Sequence, residues 1–185
     1  MHDSTSWYPS EADDQGWVKY TELRKAAETL SLERFVLAYP RPALIVQLPD
    51  EAVASDDAPG ESGVQLLTMM VSGGGIIRYL SRVAFVCKRP GKPFAHLIAI
   101  GRSSSNDISM TVESLSKVHG YLVPEADGST RYTDHGSTNG SHLNGQRLAP
   151  KSKALLSDGD RLQLGLEVVL DYLEPASLHR RLTST

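Results

Sequence analysis

The feature that most constrains this chain is the punctuation of its second half. From Ser81 onward, short apolar runs alternate with turn signals: Arg89-Pro90-Gly91-Lys92-Pro93, Ala126-Asp127-Gly128, Asn139-Gly140, Asn144-Gly145 and Asp158-Gly159. Asn-Gly and Asp-Gly favour tight hairpins because both residues tolerate positive φ. The spacing of the runs is that of strands in a sandwich or barrel. It predicts strands over 82–88, 94–100, 107–110, 119–123, 129–133, 154–156, 160–164 and 166–173.

The first 80 residues read differently. Residues 1–16 are polar and acidic without periodicity, as expected of a mobile lead. Leu23, Ala26, Ala27 and Leu30 then fall on one face of a helix over about 18–31, with Thr21 as a candidate cap. Pro40 and Pro42 stop helical continuation. The run Ala43 to Leu48 reads as a short buried strand, 49–63 as a linker, and 64–71 and 76–80 as further strands around Ser72-Gly73-Gly74-Gly75. That glycine turn lacks the Lys-Ser/Thr of a phosphate-binding P-loop. The organisation expected is an extension over 1–80, a β domain over 81–175 and a flexible tail over 176–185.

Charge and composition exclude several functions. The net charge is −3. The first 82 residues hold 7 Lys/Arg against 12 Asp/Glu, whereas 83–175 hold 10 of each. Bulk attraction to nucleic acid is therefore not expected, and any anion site must come from local placement. No apolar stretch approaches the ~20 residues of a membrane helix, and the N-terminus lacks the pattern of a secretory signal. The single cysteine, Cys87, rules out an internal disulfide and reads as a buried core thiol, which suits a cytoplasmic setting. The six histidines show no zinc-like spacing, so neither metal nor cofactor is expected.

Within the β region, three segments carry chemistry. Gly101-Arg102 ends an apolar run, and the glycine lets the chain turn so that the guanidinium projects onto a rim. Arginine suits phosphate because its planar fork binds two oxygens at once. Ser116-Lys117-Val118-His119 offers a hydroxyl and a second positive charge, with Val118 inward by alternation. Asp134 to Gly145 contains Thr138, Asn139 and Gly140. The amide of Asn139 presents both a donor and an acceptor, so it can pair with a peptide unit of any sequence. Ser116, His119 and Asp134 invite comparison with a hydrolase triad, but no Gly-x-Ser-x-Gly elbow surrounds Ser116.

In this order and spacing, and followed by Leu155 to Gly165 with its Asp158-Gly159-Asp160 turn, these motifs resemble the forkhead-associated (FHA) domain of small bacterial proteins. The resemblance covers about residues 81–175. It implies a mainly β fold, an FHA-type antiparallel β-sandwich with a smaller N-terminal α+β extension. It implies a non-enzymatic module that binds a phosphothreonine-containing protein, a Ser/Thr kinase or its substrate, with no nucleic acid, membrane or cofactor as partner. By the same resemblance, Arg102, Ser116, Lys117 and Thr138 would bind phosphate and Asn139 the peptide backbone. Gly101, His119 and Gly140 would support the binding loops. The alternative is an FHA-like scaffold that assembles partners without phosphate.

Overall fold

The computed structural model describes residues 7–49, 70–72, 75–77, 79–94 and 96–184. In chain order the elements are β1 (Val18–Lys19), α1 (Tyr20–Thr29), α2 (Leu32–Ala38), β2 (Ala43–Pro49), β3 (Met70–Ser72), β4 (Gly75–Ile77), β5 (Tyr79–Phe85), β6 (Ile98–Gly101), β7 (Ile108–Ser109), β8 (Gly120–Pro124), β9 (Thr130–Asp134), β10 (Ser141–Leu143), β11 (Gln146–Arg147), β12 (Lys153–Leu156), β13 (Arg161–Leu164), β14 (Val168–Leu173) and α3 (Pro175–Thr183). One sheet runs β1-β5-β2-β14-β13-β10-β11 and faces a second, β12-β9-β8-β6-β7, while among the described residues β3 and β4 form a separate two-stranded pair. Pairing is antiparallel except between β6 and β7. The fold is a β-sandwich.

Side-chain alternation explains the layers. Leu44 and Val46 of β2, Ala84 of β5, and Leu170 and Tyr172 of β14 point into the core between the sheets, where they meet Ile98, Ile100, Leu122 and Tyr132. Ala43 and Ile45 of β2, with Val83 and Phe85 of β5, point the other way. There they meet Leu23 and Ala27 of α1, Phe35 of α2, and Leu178 and Leu182 of α3. Residues 43–46 of β2 and 83–85 of β5 are thus covered on both faces, which is why these stretches are continuously apolar rather than alternating. Trp17 enters the inter-sheet core and donates its indole N–H to Ser109 O at 2.8 Å.

Several expectations change. The boundary expected at residue 81 falls inside β5, and β2 lies between β5 and β14 in the larger sheet. Residues 176–185 were expected to fray, but α3 starts with Pro175 in its first turn and buries Leu178 and Leu182. Arg180 and Arg181 sit in its last turn, where cations favour the helix dipole. Within the lead expected over 1–16, the ring of Trp7 packs edge-on against Phe85 at 5.2 Å. Helix α1 begins after Lys19 with no side-chain cap, so Thr21 lies inside it rather than capping it. Leu97 N–H bonds to Phe94 O and β6 starts only at Ile98, later than the strand expected over 94–100, and β10 and β11 are strands not anticipated. The strand expected over 64–71 falls mostly outside the described residues. Among the described residues, no helix is long and apolar enough to cross a membrane.

Candidate functional site

Register brings three loops to one end of the smaller sheet. Ile100 of β6 pairs with Gly120 of β8, which pairs with Asp134 of β9. Because these strands run antiparallel, the end of β6, the start of β8 and the end of β9 adjoin. The loops 102–107, 110–119 and 135–140 therefore meet at a single rim, and every predicted site residue lies on or beside them.

The first two loops are zipped by backbone bonds. Arg102 N–H donates to Ser116 O at 2.9 Å, and Ser103 N–H donates to Lys117 O at 3.0 Å. Such proximity requires Gly101. A β-carbon there would lie 2.7 Å from His119 N and 2.8 Å from the carbonyl oxygens of Ser116 and Lys117. The glycine thus serves close approach of two backbones rather than a turn, a reason that only the neighbouring loop reveals. Gly140 does adopt positive φ, at 78°. The side chains of Arg102 and Lys117 are exposed and have no hydrogen-bond or ion-pair partner among the described residues.

Ser116 and Thr138 come together from different loops. Thr138 N–H donates to Ser116 Oγ at 3.0 Å, and the two hydroxyls lie 3.4 Å apart. Ser116 therefore accepts from the third loop and keeps its own hydroxyl hydrogen to donate. Asn139 donates one Nδ2 hydrogen to Ser114 O at 2.8 Å, which holds the amide across the gap between loops.

His119, rather than Val118, occupies the interior position: it is fully buried, whereas Val118 is half-buried. Ser116 N–H donates to its Nδ1 at 3.3 Å, so Nδ1 carries a lone pair. Nε2 therefore holds the hydrogen and donates it to Gly140 O at 3.1 Å. The ring is a neutral strut between the second and third loops. Burial pushes its pKa down, and this outweighs the upward pull of the Gly140 carbonyl and of Asp134. Both ring nitrogens are engaged by backbone groups, an arrangement for support rather than for proton transfer to a serine.

Two further residues organise the site that sequence reasoning did not assign to it. Asp134 Oδ1 accepts the N–H groups of Gly136 and Ser137, each at 2.8 Å, and Oδ2 accepts the hydroxyls of Ser137 and Ser141. Burial pushes this carboxyl up, but those four donors outweigh it and leave the pKa below the usual carboxylate value. The Asp-x-x-Ser spacing was a legible signal for this local turn. Asn106, also buried, links the first two loops through its amide. No local pattern marks it.

Residues 98–165 match the family model for the FHA domain. The matched segment contains all three loops of the rim. The chain is also similar to the ABC transporter ATP-binding/permease protein Rv1747 of Mycobacterium tuberculosis, at 38% identity over 81 residues, 42% of this chain and 9% of that one. The chain thus spans only a small part of that relative. Among solved structures, it is similar to the N-terminal FHA domain of S. cerevisiae Rad53p in complex with a phosphothreonine peptide, with 17% identity, TM-score 0.45, and coverage of 75% of this chain and 98% of that one. It is also similar to Mycobacterium tuberculosis EmbR in complex with a low-affinity phosphopeptide, with 18% identity, TM-score 0.40, and coverage of 71% and 24%.

Proposed function

We propose that this FHA domain binds phosphothreonine peptides through the rim formed by its three loops. The observation that carries the reading is the convergence there of two unpartnered cations, Arg102 and Lys117, with the hydroxyl pair Ser116 and Thr138. A phosphothreonine brings a charge of about −1.5 to −2 and three acceptor oxygens. Two fixed positive charges and two hydroxyl donors match it in sign and number. Asn139, with one amide hydrogen on Ser114 O, retains its carbonyl oxygen and its other hydrogen for a peptide unit of the ligand. Gly101, His119 and Gly140 hold the loops in place.

The ligand is a phosphorylated protein, a Ser/Thr kinase or a kinase substrate, and the chain acts as a reader without chemistry of its own. Cys87, buried and with its thiol pushed up to about 12 by burial, suits a reducing compartment, and a cytoplasmic location belongs to the same proposal. The test is a peptide library presented to the full chain in phosphothreonine, phosphoserine and unmodified forms. Binding is expected only to phosphorylated peptides, with phosphoserine weaker by about 1 kcal/mol, the scale of one buried methyl group. Equal binding of unmodified peptides favours the phosphate-independent scaffold instead.

A further inference from the structure

We propose that Asn106 is a positioning residue that sets the spacing of the two phosphate-facing cations; this rests on the phosphothreonine reading above. Asn106 lies in the first rim loop, is 1% exposed and belongs to no hydrophobic core cluster. Its Nδ2 donates to Ser103 O at 2.9 Å and to Lys117 O at 2.7 Å. Ser103 follows Arg102 directly, so one amide group holds the backbone immediately behind both cations.

A neutral two-hydrogen donor is the group required there. Both targets are carbonyl oxygens, so a carboxylate would repel them and a single hydroxyl would serve only one. The clamp also has something to oppose. Arg102 and Lys117 carry like charges and have no acidic partner among the described residues, so no carboxylate offsets the positive charge gathered at the loop junction. Held by Asn106 and by the two backbone bonds from Arg102 and Ser103, the loops keep the cations in place before a dianion arrives. The ligand then does not have to order them, which is how preorganisation raises affinity. Asn106 touches no ligand in this account and acts entirely through the two loops.

The test is a double-mutant cycle on the full chain, with affinity for one phosphothreonine peptide measured by calorimetry and folding followed by thermal melts. Asn106→Ala is expected to weaken binding about tenfold or more while the chain stays folded. In a Lys117→Ala background the same substitution is expected to cost clearly less, because one of the charges it positions is gone. Asn106→Asp, nearly isosteric, is expected to be at least as damaging as Asn106→Ala. Wild-type affinity in a folded Asn106→Ala chain overturns the inference, as does an equal loss in both backgrounds. If Asn106→Ala does not fold, the wild-type chain decides. Its Asn106 side-chain amide protons are expected to exchange slowly with solvent and to shift in NMR spectra on peptide addition, and fast exchange or unmoved resonances at saturation overturn it. A wild-type chain that binds no phosphothreonine peptide overturns the functional reading itself and this inference with it.

Discussion

Arg102 and His119 show how differently two residues of one site are expected to respond to substitution. Arg102 is exposed and contributes nothing to the core. Arg102→Ala is therefore expected to leave the melting temperature within about 1–2 °C of wild type, since surface changes cost within about 0.5 kcal/mol. It removes charge-assisted bonds worth roughly 1.5–3 kcal/mol each, so calorimetry is expected to find phosphopeptide binding lost. His119 behaves in the opposite way. Its replacement by alanine leaves the Ser116 N–H and the Gly140 carbonyl without their partner, so the melting temperature is expected to fall, and no hydrolytic activity is expected in either chain. Its depressed pKa also has a direction in pH. Below the ordinary histidine value of about 6.5 the unfolded chain takes up a proton that folded His119 refuses. Stability is therefore complete above that pH and declines as pH falls through the window toward the folded value. Urea melts at pH 7.5 and pH 5.5 are expected to show a larger loss for wild type than for His119→Ala. Equal slopes for the two chains would contradict a buried neutral imidazole.

Among the elements, α3 separates the structure most sharply from a reading of the chain by local pattern. Leu178 and Leu182 stand one helical turn apart and are both fully buried against the helical side of the larger sheet. Leu182→Ala is expected to cost about 2–5 kcal/mol in urea unfolding, the range for a large-to-small change in a packed core. A cost below about 0.5 kcal/mol would mean that the helix does not dock. Phosphopeptide affinity measured well below the unfolding transition should be unchanged, because α3 lies on the face of the larger sheet away from the three loops. Turn chemistry shows a related limit. Asn144, at φ 51°, and Gly145, at φ 81°, make the tight β10–β11 hairpin that their sequence announces. Asn139-Gly140 and Asp158-Gly159 have the same local signature, yet each carries the chain from one sheet to the other. The dipeptide specifies a reversal, while pairing elsewhere decides which strand comes next.

At the level of the whole molecule, the FHA-matching segment depends on residues before it. Strand β2 pairs with β14 on one side and β5 on the other, and its Leu44 and Val46 complete the inter-sheet core. A fragment spanning residues 81–175 lacks β2, β1 and all three helices. It would expose an unpaired edge on β14 and strip the apolar outer face of the larger sheet. Such a fragment is expected to be insoluble or unfolded by circular dichroism, whereas the whole chain melts in one cooperative transition. A folded, peptide-binding fragment would show that the N-terminal residues are dispensable.

The sequence by itself determined the all-β texture of the second half, the amphipathic α1 and the identities of the residues on the rim. Each of these is written in local terms: turn dipeptides, apolar spacing, and polar side chains that a phosphate needs. It also marked the run 43–48 as a buried strand, because covering both faces leaves no polar alternation. Only the tertiary structure decided which sheet that strand joins, that the last residues dock as a helix, and why residue 101 must be glycine. The same holds for Asn106, whose amide reaches Lys117 O across the junction of two loops. Its role depends on a carbonyl group brought close by the pairing of β6 with β8. A residue's partners across such a junction are set by register and packing, and no local pattern records them.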